Sequence, residues 1–307
     1  MEFSSVVAED TRRRLLTRFG ARAEAWWERL PEVLDQLAAH WELSIGDPIG
    51  DPIGRGNTSL VVRCRSASRG PAILKLVPDE TLAAAEAAAL RSWEPSGHVP
   101  RVWGHDGAAG ALLLEAIPNE MPLGASPTRI KLSDVAELIG SLHRSGSPVM
   151  ADGVVSLADR VEFIYGFWIE RHSRDPEASH VVPVARLSRG HELARALAAG
   201  DQVTRVLLHG DLHPGNVLDG GVSRGLVAID PRPCVGDPAF DAVDWVFWPT
   251  DDPRCWEARA RELAAALSVD YQRVLDWCAA FAAMLAAGKA ARGEPAGHID
   301  ALLGLAP

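Results

Sequence analysis

Apolar positions recur at helical spacing from residue 7 to 41, at Leu15, Leu16 and Phe19 and again at Trp26, Trp27, Leu30, Leu34 and Leu37. This predicts an N-terminal helical cap, with Pro31 opening a second helix or kinking the first. The pattern then shortens. "SLVVRC" and "AILKLV" are brief β-branched runs separated by "RSASRGP", which has the composition of a hairpin turn. "RVWGHDGAAGALLLEAI" repeats that arrangement as two apolar runs around a glycine turn. Between the hairpins, "DETLAAAEAAALRSW" reads as an alanine-rich helix capped by Asp79. Asp-Pro-Ile-Gly is written at 47–50 and again at 51–54 and does not recur, which predicts a turn-rich entry into a strand and no repeat architecture.

After "PNEMPLGASP" the helical period returns in "IKLSDVAELIGSLHRS", "LADRVEFIYGFWIERH" and "VARLSRGHELARALAAG". Two short strands, "NVLDG" and "GLVAID", interrupt it, and helices resume near Ala239. The expected fold is α+β in two parts. Residues 1–117 form the helical cap and a small antiparallel β lobe with one helix; residues 118–307 form a larger, mainly helical lobe. A chain of 307 residues that is 47% apolar can fill two adjoining cores.

Charge narrows the class of partner. There are 31 basic and 41 acidic residues, a net charge of −10, and the lysines are Lys75, Lys131 and Lys289. Such a surface repels nucleic-acid backbones and anionic lipid but attracts small cations. Cys64, Cys234, Cys255 and Cys278 lack metal or redox spacing, so reduced, buried thiols are expected. The first twenty residues have early acidic positions and no apolar core ahead of a cleavage site, and "CAAFAAMLAAG" is too short to span a bilayer. The expectation is a cytoplasmic protein that touches no membrane, as a monomer or small homo-oligomer.

The chemistry concentrates in "VLLHGDLHPGNVLDGG", Val206–Gly221. Asp211 and Asn216 sit in a loop between apolar segments, and Asp230 ends "GLVAID". A carboxylate, an amide oxygen and a second carboxylate suit the orientation of a hydroxyl and the holding of magnesium against a polyphosphate. Upstream, Gly54, Gly56, Ser59 and Val61 fall on the G-x-G-x-x-G-x-V spacing of a kinase glycine-rich hairpin, with Ser59 in place of the third glycine. Lys75 then closes "AILK", resembling the strand whose lysine meets nucleotide phosphates, and either Glu86 or Glu80 is its candidate partner. Each signal has a blander reading. The glycines suit any tight hairpin, and an Asp-x-x-x-x-Asn pair often marks a capped turn. His209 and His213 mimic part of a zinc motif, but no second histidine cluster completes it, so His209 is read as a buried residue shaping the loop.

Taken in order, these motifs resemble the aminoglycoside phosphotransferase family, which shares the bilobal protein-kinase fold. The likeness runs from about Ile49 to Trp248 and is most specific in "HGDLHPGNVL" and "AIDPRPCVGDPAFD", with "SLHRS" around His143 a further family-like detail. "IDP" followed by "VGDPAFD" is similar to the branch of streptomycin 6-kinases and hydroxyurea kinases. The resemblance implies that Asp211 is the catalytic base, that Asn216 and Asp230 bind Mg2+, and that Lys75 holds ATP phosphates. The backbone from Glu115 to Ile117 would meet adenine, and Asp241 would brace the catalytic loop. Gly210 replaces the arginine that protein kinases place before the base, which implies activity without phosphorylation control.

From Asp211 to Asp252 eight aspartates face only Arg224 and Arg232, a balance that suits a guanidinium- or amine-bearing acceptor. Asp244, Asp251 and Asp252, with Trp245 and Trp248 for cation–π contact, are the candidate acceptor wall; helical spacing equally makes Trp245 a core residue. The resemblance implies phosphorylation of streptomycin at its 6-hydroxyl. Alternatives are hydroxyurea or another small metabolite, a non-catalytic kinase-like binding protein and, last, a metal hydrolase.

Overall fold

The computed structural model describes residues 6–49, 58–126, 130–149, 153–200 and 203–307, so Gly54 and Gly56 lie outside the described residues. The chain divides into two compact units. The first holds Met1–Thr128, Ala151–Gly153 and Gly215–Arg232; the second holds Arg129–Met150, Val154–Pro214 and Pro233–Pro307. This departs from a single cut after Ile117.

The first unit opens with α1 (Val6–Phe19) and α2 (Ala21–His40). The break falls at Gly20, whose φ of 57° suits a residue without a side chain, and Pro31 lies inside α2. Trp26, Leu30, Leu34 and Leu37 form the buried stripe of α2. They join a core with Leu60, Val62, Cys64, Ala72, Leu74 and Leu76, which belong to β2 (Leu60–Ser66) and β3 (Gly70–Leu76). The sheet also contains β1 (Leu43–Pro48), β4 (Val102–Asp106) and β5 (Ala111–Glu115), in the order β1-β2-β3-β5-β4. The first copy of Asp-Pro-Ile-Gly thus begins within strand β1, where only a turn-rich approach is expected from its composition.

Strand alternation decides what each face carries. Leu74 and Leu76 point into the core with α2, so Ile73 and Lys75 point the other way. The register places Lys75 opposite Val61 and Ile73 opposite Leu114, which puts all four on one face. Helix α3 (Glu80–Trp93) follows, capped by Asp79, which accepts from the backbone N–H of Thr81 and Leu82.

The hairpin of β8 (Val217–Asp219) and β9 (Leu226–Ala228) completes this unit. Its docking explains why it leaves the helical unit. Arg224 donates to the carbonyls of Gly97 and Val99 at 2.9 and 2.6 Å, and the Ala228 N–H donates to the His98 carbonyl at 2.8 Å. Ile117, Leu218 and Val227 form a small core beneath it.

The second unit contains α4 (Leu132–Ser145), α5 (Leu157–Ser173), α6 (Pro176–Val181), α7 (Val184–Ala199), α8 (Val243–Phe247), α9 (Pro253–Leu267), α10 (Tyr271–Ala291) and α11 (Ala296–Leu305). A small sheet of β6 (Val155–Ser156), β10 (Cys234–Gly236) and β7 (Val206–Leu208) is threaded among them. Its strands are two or three residues long, below the length at which alternation shows in sequence.

Helix α10 corrects one reading: its 21 residues are long and apolar enough to cross a bilayer by length and composition. In this fold it is a core helix, with 61% of its apolar window buried and Trp277, Cys278 and Ala280 fully enclosed. Helix α7 crosses it closely at Gly190, where a Cβ would stand 2.4 Å from the Ala280 carbonyl oxygen. Cys64, Cys234 and Cys278 are buried free thiols, whereas Cys255 is exposed.

Candidate active site

Each unit contributes a cavity of its own. In the first, Ile49, Val61, Ile73, Leu114, Ile117, Leu218 and Ile229 line an apolar slot that ends at Lys75, Glu86 and Asp230. Ser59 lies on the same wall, buried ahead of β2.

Lys75 is 4% exposed, and its Nζ donates to both oxygens of Glu86, at 2.7 and 2.6 Å, and to Asp230 Oδ1 at 2.7 Å. Three acceptors match the three protons of an ammonium. The choice between glutamates is thereby resolved, because Glu80 is exposed in the first turn of α3 while Glu86 is 1% exposed on its buried face. Burial works against the charge on Lys75, but Asp230 and Glu86 outweigh it and raise its pKa. Burial raises the pKa of Glu86 and Asp230 adds to the rise, with Lys75 opposing. One ammonium is shared by two carboxylates, and burial disfavours the charged form of the more enclosed one, Glu86.

A second cation stands here that sequence reasoning passed over. Arg232 Nη2 is 3.4 Å from Asp230 Oδ1 and donates to Thr58 Oγ1, tying the start of β2 to the segment after β9. Asp230 has φ 54°, in the left-handed region that Asp tolerates better than most residues. Asn216, buried, precedes β8, and its carbonyl accepts from the Ile229 N–H at 2.9 Å, so Asn216 and Asp230 flank the same end of the hairpin. An amide oxygen and a carboxylate are hard donors of the kind that fit Mg2+.

At the apolar end, Glu115 lines the slot, but its side chain is committed to Arg224 at 2.8 Å and to the Arg101 N–H at 3.2 Å. Its own N–H donates to the Arg101 carbonyl at 3.0 Å.

In the second unit, Asp211 opens on a cavity of about 330 Å³, within the range of small-molecule sites. The loop that carries it is fixed from beneath. Asp241, 3% exposed, accepts from the N–H of His209 at 2.9 Å and of Gly210 at 3.0 Å, and from His143 Nε2 at 3.1 Å. Burial would raise the Asp241 carboxyl, but the His143 hydrogen bond and the charges and N–H groups around it hold its pKa below the usual carboxylate range. His209 is fully buried, as a loop-shaping residue should be.

The acceptor-wall candidates separate. Asp244 lines the cavity; burial, with Asp211 and Asp241 adding, pushes its pKa up to about 6, against the opposing pull of His213. Trp245 is fully buried and packs edge-to-face on Trp248, ring centres 5.7 Å apart, so it is core. Asp251 pairs with Lys289 at 2.9 Å and His298 at 3.2 Å. Asp252 caps α9 by accepting from the Arg254 N–H.

Helix α5 lines the same cavity as Asp244. Its core face holds Leu157, Val161, Tyr165 and His172, while Phe163, Ile164, Phe167 and Trp168 line the cavity. Phe163 is 47% exposed, which a core residue would not be. The signal was present in the sequence: α5 carries apolar residues on two faces, more than one core contact needs.

The family profile described as "Aminoglycoside/hydroxyurea antibiotic resistance kinase" matches residues 46–293. The chain is 33% identical over 244 residues to streptomycin 6-kinase of Streptomyces glaucescens, covering 78% of this chain and 72% of that one. It is 34% identical over 225 residues to hydroxyurea phosphotransferase of Kitasatospora aureofaciens, covering 73% and 63% respectively. Among solved structures, choline kinase LicA of Streptococcus pneumoniae shares the fold at TM-score 0.57 and 16% identity, over 91% of this chain and 99% of that one. So does aminoglycoside phosphotransferase APH(3'')-Id of Streptomyces rimosus, in complex with ADP and streptomycin, at TM-score 0.53 and 21% identity, over 89% and 98%. The fold is therefore α+β and kinase-like, and the chain belongs to the aminoglycoside/hydroxyurea antibiotic resistance kinase family.

Proposed function

We propose that this kinase transfers the γ-phosphoryl group of ATP to a hydroxyl of a small cationic antibiotic, with streptomycin, at its 6-hydroxyl, as the leading acceptor. The observation that carries this is the cavity in which Asp211 and Asp244 share space with the aromatic face of α5. Carboxylates and ring faces are the groups that recognise a guanidinium.

In this reading Asp211 takes the acceptor's hydroxyl proton as its oxygen bonds to the γ-phosphorus and the bond to ADP breaks. Lys75, set by Glu86, holds the donor's phosphates, and the slot from Ile49 to Ile117 takes the base. Ser59 belongs to that site, and Gly54 and Gly56 are assigned to it from sequence spacing. Mg2+ held by Asn216 and Asp230 supplies charge neutralisation for the polyphosphate. Hydroxyurea is the second reading, favoured by the 34% identity to a hydroxyurea phosphotransferase.

The test is ATP consumption by purified protein with magnesium against streptomycin, dihydrostreptomycin, kanamycin and hydroxyurea, with mass spectrometry of the product. A mono-phosphorylated streptomycin is the expected outcome. Turnover of hydroxyurea alone moves the assignment to the second reading, and ATP binding without turnover of any acceptor removes the substrate proposal.

A further inference from the structure

Asp241 holds the catalytic loop by its N–H groups; a different residue holds the Gly210 carbonyl. Arg160, in the first turn of α5, donates from Nε to the Gly210 carbonyl at 3.1 Å. Its Nη2 lies 3.5 Å from Asp211 Oδ1. The second contact is too long for a hydrogen bond and acts as a Coulomb attraction. The guanidinium is enclosed, with its side chain 11% exposed and its carbon 5.7 Å from the centre of the Phe163 ring.

We propose that Arg160 is a positioning residue for phosphoryl transfer, fixing the peptide ahead of Asp211 and one oxygen of its carboxylate so that the base is oriented before the acceptor arrives. This rests on the reading of Asp211 as the base. Phosphoryl transfer draws mostly on positioning and little on covalent chemistry, so the group that orients the base carries a large share of the rate.

The backbone explains why this cation comes from α5. Gly210 has φ 75°, and a residue with a side chain is strained there. An arginine at position 210 is therefore disfavoured, and α5 delivers one through space. A guanidinium presents a planar fork that spans a carbonyl and a carboxylate together; a lysine at 160 meets only one of them at a time. The pairing needs no phosphate, as the expectation of activity without phosphorylation control requires.

Arg160→Ala, Arg160→Met and Arg160→Lys in the full chain provide the test. The measurements are kcat and KM, melting temperature, rescue by millimolar guanidinium ion, and hydrogen exchange of the segment 207–213. Expected are a kcat loss on the order of 30-fold in the Ala and Met variants with the KM for ATP within about twofold, and an intermediate value for Lys. The Met side chain keeps the stem over Phe163, so equal losses in Met and Ala assign the effect to the cation. Guanidinium should restore part of the Arg160→Ala rate, and exchange should quicken in 207–213 while α9 and α10 stay unchanged. A kcat within about twofold of wild type overturns the proposal, as does a loss that follows melting temperature and resists rescue. If the wild-type chain turns over none of the acceptors, the functional reading fails and the exchange data alone decide on Arg160. Selective quickening upholds its positioning role, and unchanged exchange in 207–213 removes it.

Discussion

The surroundings of Lys75 and of Asp244 are built on opposite plans. Lys75 is enclosed and meets three carboxylate oxygens within 2.7 Å, and Arg232 stands beside one of its partners. Asp244 has two other carboxylates, Asp211 and Asp241, acting on it, with His213 as its countercharge, and shares a cavity with partly exposed rings. The first arrangement is complete before any ligand arrives. The second keeps an ionisable carboxylate, Asp244, beside an open cavity. A donor common to many kinases can be met by a fixed pairing, whereas an acceptor that varies within the family is met by a cavity whose charge and walls can change.

The largest effect that sharpens this contrast is expected from Lys75→Met. It should lower kcat/KM for ATP by about a thousandfold, and it strands Glu86 as a buried charge, which costs about 3 kcal/mol of stability. Adding Glu86→Gln should recover the stability, measured by denaturant unfolding, and leave the activity lost. Recovery of both would show that the pair is structural only.

Next is Asp241→Asn. It keeps the shape but weakens the acceptor of the His209 and Gly210 N–H bonds, and should reduce kcat by about a hundredfold with nucleotide affinity unchanged, measured by calorimetry. Loss of nucleotide binding would contradict the assignment of Asp241 to the acceptor half.

A smaller effect tests the open side. Because the pKa of Asp244 is about 6, the KM for a cationic acceptor should rise as pH falls through 6, while ATP affinity stays flat. The stability consequence has the opposite sense. The folded chain holds this proton more tightly than the unfolded chain, so ionised Asp244 opposes folding above about pH 6. Asp244→Asn should therefore raise the melting temperature by about 3 °C at pH 7.5, with the gain shrinking toward pH 4, and should weaken acceptor binding. A KM that does not move with pH would detach Asp244 from the acceptor.

The smallest effect is expected from Arg232→Ala, a rise of about fivefold in the KM for ATP, measured at saturating acceptor. Arg232 touches this cluster only through Asp230, at 3.4 Å, whereas Lys75 is at its centre.

The legible parts of this protein are those in which chemistry is local in sequence. Strand alternation around Lys75, the Asp79 cap and the order from Lys75 through Asp211 to Asp230 all follow from short windows. What escaped is carried by contacts between distant segments. Arg160 reaches Gly210 from fifty residues away, and Arg224 draws the β8–β9 hairpin into the first unit through carbonyls at Gly97 and Val99. No periodicity records such pairings. Asp251 and Asp252 misled for a related reason: sequence counts charges, and only the fold shows that Lys289, His298 and the N-terminus of α9 already use them. Trp245 has the spacing of either a wall or a core residue, and burial decides for the core.

The role of Asp211 as the base is tested most directly by the rate of ATP-dependent phosphorylation of streptomycin by the wild-type chain and by Asp211→Asn, with ATP affinity measured on both. Expected are product from the wild type, a loss of about a thousandfold or more in the variant, and equal ATP affinity in the two. A variant that still phosphorylates streptomycin at a comparable rate would contradict it, because the base would then lie elsewhere.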